Sequence, residues 1–187
     1  MPAAPASDDD VRLLRRIAAG DRAALTALYR AYQPRLSRFL GRHTRRQEII
    51  EEVVNDTFFV VWQKAGEFRE ASRVSTWLMG IAYRCMLKSL RKAGEWAMED
   101  ALSERDHPVT VPSAAHELQD WLSKGLERLT LEQRSVIELA YCMGHSLEEI
   151  TEIVDCPLST VKARMFHARI KLRNLLPMLA GDEGNGQ

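Results

Sequence analysis

Several features that would point to an enzyme or a metalloprotein are missing from this chain. Its 187 residues include only three cysteines, and Cys85, Cys142 and Cys156 are too far apart to form a CxxC pair. We therefore expect three free, buried thiols, as in a reducing compartment. The five histidines show no metal-ligand spacing, and there is no glycine-rich phosphate loop or nucleophile motif. We expect no metal, no cofactor, no small-molecule substrate and no catalytic residues.

Long apolar runs are also missing. No run approaches the roughly 18 residues that a membrane-spanning helix needs. Residues 1–10 lack the basic start and the apolar core of a signal peptide. The sequence therefore predicts a cytoplasmic protein without membrane insertion.

Charge of one sign does not dominate, because 26 basic residues balance 26 acidic residues. The charges are nevertheless segregated. Residues 1–50 carry ten arginines against five acids, residues 93–129 carry eight acids against three basic residues, and residues 159–173 carry five basic residues and no acid. A phosphate responds to the local field and not to the total charge. The distribution is therefore compatible with nucleic-acid binding.

Apolar residues recur with helical spacing over most of the chain, and strand-like alternation is almost absent. This pattern predicts an all-α protein of two small helical domains joined by a flexible linker. The first domain, residues 1–92, should contain four helices, at about 8–19, 21–42, 46–65 and 72–92. Pro34 lies within the second of these helices and predicts a kink or a break near Tyr32.

The acidic stretch 93–113 contains Gly94, Pro108 and Pro112 and predicts the linker. Residues 114–180 predict a second domain, and residues 181–187 a disordered tail. Four helices are expected in the second domain, at about 114–128, 131–143, 147–154 and 160–179. Residues 130–133 and 146–149 match the capping box and predict two of the helix starts.

The last two predicted helices match a helix-turn-helix. Residues 155–158 form the break between them, where Pro157 cannot continue the first helix and Ser159 can cap the second. So short a turn requires a steep crossing, as in DNA-binding motifs. Residues of one face of the second helix are spaced for a core stripe: Val161, Met165, Ala168, Leu172 and Leu175.

The opposite side of this helix predicts a surface that reads a major groove. Basic side chains can reach phosphates or guanine edges, and Phe166 can touch a thymine methyl group. The alternative is a basic, solvated C-terminal helix of a bundle, which the helix dipole favours. Phe166 and Ile170 lie off the core face and favour DNA binding. The predicted reading surface consists of Lys162, Ala163, Arg164, Phe166 and His167.

Both halves of the chain resemble the extracytoplasmic-function (ECF) sigma factors of bacterial RNA polymerase. Residues 127–134 (ERLTLEQR), 146–150 (SLEEI), 157–164 (PLSTVKAR) and Ala168-Arg169 resemble region four of that family. The resemblance to region two is carried by Gly20-Asp21, Leu28-Tyr29, residues 52–58 (EVVNDTF), Trp62, residues 76–78 (TWL), Ile81-Ala82 and residues 90–92 (LRK). It covers about residues 10–92 and 115–177.

The resemblance implies a dissociable subunit of RNA polymerase. The first domain would bind core RNA polymerase and open the −10 element of promoter DNA, and the second would read the −35 element. An anti-sigma factor would inhibit the protein. The implied −35 residues are Ser159, Thr160, Lys162, Ala163, Arg164, Phe166, His167 and Arg169. The implied −10 residues are Phe68, Arg73, Ser75, Thr76, Arg84, Lys88 and Arg91. The implied polymerase-binding residues are Glu52, Asn55, Asp56, Phe59 and Gln63.

The residues themselves agree with two of these assignments. On the third helix, carboxylates beside Phe59 suit a basic partner surface, although a solvated face is the common alternative. In residues 68–92, cations alternate with aromatic side chains, a combination that can hold an opened strand. Trp77 and Ile81 are expected in the core, so Phe68 and a loop at residues 73–76 are the better candidates for base contact.

The chain departs from the family's usual residues in both halves, at Val74, Ser75, Arg84, Lys88, Ala163 and His167. Unusual −10 and −35 base preferences are therefore expected. Two other classes remain open from the residues alone, a stand-alone helix-turn-helix regulator and an enzyme. The alternation of basic and aromatic residues at 68–92 argues against the regulator, because a protein that reads only duplex DNA does not need it.

Overall fold

The computed structural model describes residues 8–94 and 125–180, with side chains up to Asn174. Every regular element in these two ranges is helical, which confirms the predicted all-α class. The helices are α1 (Asp8–Ala18), α2 (Arg22–Leu40), α3 (Gln47–Lys64), α4 (Val74–Ala93), α5 (Leu131–Ile137), α6 (Leu147–Val154) and α7 (Leu158–Ala180). The predicted linker and tail and most of the predicted helix 114–128 lie outside the described residues. The domain boundaries stay a prediction, so α1–α4 are called the N-terminal unit and α5–α7 the C-terminal unit.

The junction between α1 and α2 forms where the sequence predicts it. Gly20 adopts a left-handed φ of 86°, which glycine tolerates without strain. The amides of Gly20 and Asp21 then donate to the carbonyls of Ile17 and Arg16, at 2.8 and 3.0 Å. The Asp21 side chain accepts from the amides of Ala23 and Ala24, which fixes the start of α2.

Of the kink or break predicted near Tyr32, the break is wrong, because α2 is one continuous helix across Pro34. Proline removes a single intrahelical hydrogen bond. Tyr32 and Leu36, on either side of Pro34, are both buried in the core. The Tyr32 hydroxyl also donates to the Asp10 carboxylate on α1 at 2.5 Å. These tertiary contacts hold the two halves of α2 in register.

The core of the N-terminal unit forms between α1, α2, α3 and α4. One face of α3 is buried and consists of residues with helical spacing: Ile50, Val53, Val54, Thr57 and Val61. Ile81 of α4 is buried as predicted, whereas Trp77 and Leu87 are only partly buried. The polar face of α3 therefore points away from this core.

Both predicted capping boxes are present, at Thr130–Gln133 before α5 and at Ser146–Glu149 before α6. The prediction of one α-helix over 131–143 is wrong in its last part. The chain continues from α5 as a π-helical turn, Glu138–Cys142, in which the Met143 amide donates to the Glu138 carbonyl at 2.9 Å. This bond spans five residues and widens the turn. Gly144, with φ 73°, then ends it.

The turn between α6 and α7 is tight, as the helix-turn-helix requires. Asp155 takes a left-handed φ of 51° at the end of α6. The predicted cap at Ser159 is wrong, because α7 begins two residues earlier than expected, at Leu158. The Pro157 carbonyl accepts from the amides of Thr160 and Val161, at 2.9 and 3.1 Å. Proline suits the residue before a helix, because no amide hydrogen is left unpaired there.

The two units pack against each other through α4 and α6. Gly80 of α4 lies at the crossing, where a Cβ atom on residue 80 would be 3.7 Å from Cα of Ile153. A Cβ atom would fit there at ordinary van der Waals distance, whereas a longer side chain would meet the backbone of α6. None of the described helices combines the length and the hydropathy that crossing a bilayer requires.

Candidate nucleic-acid interface

Helix α7 exposes most of the residues that the sequence predicts for DNA reading and buries the opposite face. Val161, Met165 and Ala168 are buried, and Leu172 is partly buried against the core. Phe166, in contrast, is 60% exposed, and its ring meets that of His167 edge to face with centroids 5.6 Å apart. Of the eight predicted −35 residues, six are exposed and two, Thr160 and Arg164, are partly buried. The structure thus brings this set together along one helix.

Two of the cations on α7 are held by neighbouring side chains. An Nη atom of Arg164 lies 3.6 Å from Sγ of Cys156, in the turn of the motif. The Arg169 guanidinium lies over the ring of Tyr141, 5.7 Å from its centroid. Tyr141 is 62% exposed and lies in the π-helical turn after α5, a position that no sequence pattern indicated. Oriented guanidinium groups of this kind can contact phosphates or guanine edges.

The predicted −10 residues fall into two groups. Arg84, Lys88 and Arg91 are exposed, and their spacing puts them on one face of α4. Phe68 precedes α4 and is partly buried, with its ring 5.4 Å from that of Trp77. Cationic side chains along one helix can follow a strand backbone.

The predicted loop at residues 73–76 is wrong. Arg73 is the N-cap of α4, and residues 74–76 form its first turn. Val74 and Leu78 are both fully buried, so packing into the core holds this turn in helical form. Ser75 is partly buried and Thr76 is only 1% exposed.

The polar face of α3 forms a third surface. All five predicted polymerase-binding residues are exposed, and Phe59 is 62% exposed. Nζ of Lys92 lies 3.6 Å from the Glu52 carboxylate at one edge of this face. An exposed aromatic ring among carboxylates and amides suits a partner that offers cations and a pocket.

A polar cluster that the sequence analysis missed joins α4 to α6. One carboxylate oxygen of Glu149 accepts from the Thr76 hydroxyl at 3.0 Å and lies 3.4 Å from Nε of Arg73. The other oxygen accepts from the Ser146 amide at 2.9 Å, within the capping box. Burial alone would raise the pKa of Glu149, but these hydrogen bonds and the nearby positive charge of Arg73 hold it below its ordinary value.

A second missed cluster joins the end of α2 to α5. The buried His43 ring has Nδ1 3.0 Å from the Phe39 carbonyl and Nε2 2.9 Å from the Ser135 hydroxyl. The buried Arg134 guanidinium donates to the carbonyls of Leu126, Glu127 and Leu129 and, from the N-terminal unit, to that of Arg42 at 3.0 Å. These contacts bridge the two units.

Helical phase is the signal that could have revealed this second cluster. Leu131, Arg134, Ser135 and Glu138 lie at positions i, i+3, i+4 and i+7, which form one helix face. All four are buried in the structure. Polar residues in a core-facing phase indicate a buried polar contact, because unpaired polar groups are costly to bury. The sequence does not show which residues pair with them.

The expectation for the cysteines is partly wrong. All three thiols are free, but Cys142 is exposed, and Cys85 and Cys156 are only partly buried. Cys142 lies on the π-helical turn, whose outer side faces solvent. Burial of the Sγ atom and the neighbouring Glu138 carboxylate raise the pKa of this thiol to about 11. No group of potential metal ligands occurs among the residues that the structure describes.

A helix-turn-helix joined to a helical unit that carries a basic and aromatic segment is typical of a two-part DNA-binding protein that acts in transcription. The family model described as Sigma-70 region 2 matches residues 28–95. The family model described as Sigma-70 region 4 matches residues 119–172. The chain belongs to the ECF sigma factors of bacterial RNA polymerase, as the resemblance implied.

Curated relatives match over nearly the whole length. The ECF RNA polymerase sigma-E factor of Haemophilus influenzae is 30% identical over 91% of this chain and 96% of its own. The ECF RNA polymerase sigma factor SigM of Mycobacterium tuberculosis is 31% identical over 91% of this chain and 86% of its own.

Solved structures match in fold. CnrH, in complex with the cytosolic domain of CnrY, aligns with a TM-score of 0.68 at 23% identity over 91% of this chain and 99% of that chain. The sigma factor RpoE of Bartonella quintana, in complex with the anti-sigma factor NepR, aligns with a TM-score of 0.62 at 28% identity. That alignment covers 81% of this chain and 95% of the RpoE chain.

Proposed function

We propose that the chain acts as an alternative sigma factor through three helices. Helix α3 binds core RNA polymerase, α4 and Phe68 engage the −10 element, and α7 reads the −35 element. The observation that carries this division is that each helix buries one face and leaves the predicted contact residues on another, with Thr76 as the exception. The protein acts in the cytoplasm and carries out no catalysis of its own.

Docking on polymerase rests on the exposed face of α3. Phe59 costs free energy while its ring stays in water, and a partner pocket would recover that cost. Glu52 and Asp56 add negative charge that steers a basic partner surface towards the ring. A merely solvated helix face would not need the aromatic residue.

Promoter recognition rests on α4 and α7. Arg84, Lys88 and Arg91 form a cationic stripe for a strand backbone, and Phe68 offers a ring for base stacking. On α7, Lys162 and the two oriented guanidinium groups supply phosphate or guanine contacts, and Phe166 supplies an apolar contact to thymine. His167 and Ala163, which depart from the family's usual residues, would set an individual −35 preference.

Control by an anti-sigma factor is part of the proposal. It is supported by the two solved structures, in which CnrH is bound to CnrY and RpoE to the anti-sigma factor NepR. Pull-down of the chain from native lysate should recover RNA polymerase subunits together with one small partner protein. Recovery of polymerase without such a partner would refute this part alone.

The matched pair Phe59→Ala and Phe166→Ala tests the division of labour, because the two rings are almost equally exposed, at 62% and 60%. Genome-wide run-off transcription with purified core enzyme should give initiation at defined promoters with the unmodified chain. Phe59→Ala should weaken polymerase binding about tenfold, and Phe166→Ala should leave it unchanged but reduce promoter discrimination. Absence of initiation at any promoter would refute the proposal. Tight, specific duplex binding without polymerase would favour a stand-alone regulator.

A further inference from the structure

The Glu149 carboxylate contacts two of the predicted −10 residues, Thr76 and Arg73. It accepts from the Thr76 hydroxyl at 3.0 Å and lies 3.4 Å from Nε of Arg73. A hydroxyl and a guanidinium that converge on one anionic oxygen form the kind of site that holds a phosphate of DNA. Glu149 belongs to the C-terminal unit, so the contact is made across the boundary between the units.

We propose that Glu149 is an internal latch: in the free chain its carboxylate takes the place of a promoter phosphate at Arg73 and Thr76, and it thereby holds the two units in a closed arrangement that cannot engage the −10 element. This inference rests on the proposed sigma-factor function. It adds a self-closing device that none of the three helices supplies by itself.

Access is the first reason why the closed arrangement excludes the −10 strand. Thr76 is 1% exposed beneath α6, so a nucleotide cannot reach its hydroxyl while α6 stays in place. Arg73 is about half exposed, but its Nε atom already faces the Glu149 oxygen. Tyr83, two turns after Thr76 on the same face of α4, is buried against Ser135 and Arg164 of the C-terminal unit.

Reach is the second reason. The −10 and −35 elements lie about 25 base pairs apart, which is roughly 85 Å at 3.4 Å per base pair. In the structure, Thr76 is in hydrogen-bond contact with Glu149, and α7 begins nine residues after Glu149. The stretch of α7 from Leu158 to Arg169 is only about 17 Å long at 1.5 Å per residue. The closed chain therefore cannot bind the −10 and −35 elements at the same time, and promoter binding requires the two units to separate.

The latch acts together with contacts that close the rest of the boundary. Arg134 donates to the Arg42 carbonyl, and His43 meets Ser135. At the crossing of α4 and α6, Gly80 lies against the backbone of Ile153. Glu149 differs from these contacts because it uses residues that the promoter also needs. Closure and −10 binding therefore compete directly.

Glu149→Gln is the substitution that isolates the latch. Glutamine serves at the third position of a capping box as glutamate does, so α6 keeps its start. Its amide group, however, places an N–H donor or a neutral oxygen where Arg73 meets a carboxylate. Glu148→Gln is the matched control, because Glu148 is the exposed neighbour on the same turn and loses the same charge.

Two measurements on the free, full-length chain test the competition. Small-angle X-ray scattering reports the radius of gyration, and fluorescence anisotropy reports binding of a labelled random-sequence single-stranded 20-mer DNA. Glu149→Gln should enlarge the radius and bind the 20-mer about fivefold more tightly, whereas Glu148→Gln should match the unmodified chain. Equal behaviour of the two variants in either measurement overturns the proposal.

A second variant tests closure without touching any charge. A Cβ at position 80 fits at ordinary contact distance, so Gly80→Ala should stay closed. Gly80→Leu places further carbons against Ile153 and should enlarge the radius as Glu149→Gln does, with helical circular dichroism unchanged. A compact Gly80→Leu chain overturns the proposal. Run-off transcription separates the two claims, because loss of initiation refutes the sigma-factor function whatever the variants show.

Discussion

At the scale of single residues, two buried histidines set a pH dependence. Burial lowers the pKa of His43 to about 3, and the Arg134 guanidinium that faces it from α5 acts in the same direction. Burial also lowers the pKa of His145, although the neighbouring Glu149 carboxylate opposes this shift. Both rings are therefore neutral in the folded, closed chain and take up a proton only when they reach water.

The chain should lose stability as the pH falls from 7.5 to 5. Solvated His43 binds its proton near pH 6.5, whereas the folded form does so near 3, so the loss begins near 6.5. At pH 5 this one residue accounts for about 2 kcal/mol of lost unfolding free energy. Urea unfolding at both pH values measures it. His43→Gln should reduce the pH-dependent loss by that amount, and the exposed His167→Gln should not. An unchanged loss in His43→Gln would contradict the assignment.

At the scale of elements, hydrogen bonds at the helix ends decide where helices begin. Ser146 accepts from the Glu149 amide at 3.2 Å, while Ser159 lies within the first turn of α7 and caps nothing. The same residue type thus has two different roles within fifteen residues of sequence. Only the capping residue stabilises a helix start.

Ser146→Ala should therefore lower the unfolding free energy by about 1 kcal/mol. Ser159→Ala, the matched control, should change it by less than about 0.5 kcal/mol. Chemical denaturation followed by circular dichroism gives both values. An equal loss in the two variants would contradict a start of α7 at Leu158.

Elements also show what the sequence could and could not predict. The starts of α2, α5 and α6 follow from local capping residues, and the exposed faces of α3 and α7 follow from helical period. Continuity across Pro34 depends on the burial of Tyr32, which is a tertiary contact. Thr76 and Glu149 are 73 residues apart in sequence, and His43 and Ser135 are 92 apart, so no local pattern pairs them.

At the scale of the whole molecule, the latch should reduce the affinity for polymerase. If the polymerase complex holds the units apart, part of the binding free energy is used to open the chain. Glu149→Gln should then bind core RNA polymerase about fivefold more tightly, which corresponds to about 1 kcal/mol. Titration of labelled chain with core enzyme measures this, with Glu148→Gln as the control. Equal dissociation constants for the two variants would exclude an opening step before docking.

The shared use of the Glu149 carboxylate has a consequence for how this protein can evolve. The capping box restricts position 149 to glutamate or glutamine, because other residues would weaken the start of α6. In the genetic code these two residues differ by a single nucleotide. One point mutation can therefore change how firmly the chain closes on itself, while the helix start and the surfaces for polymerase and for the −35 element stay intact. Lineages could in this way adjust basal promoter activity without altering which promoters they recognise.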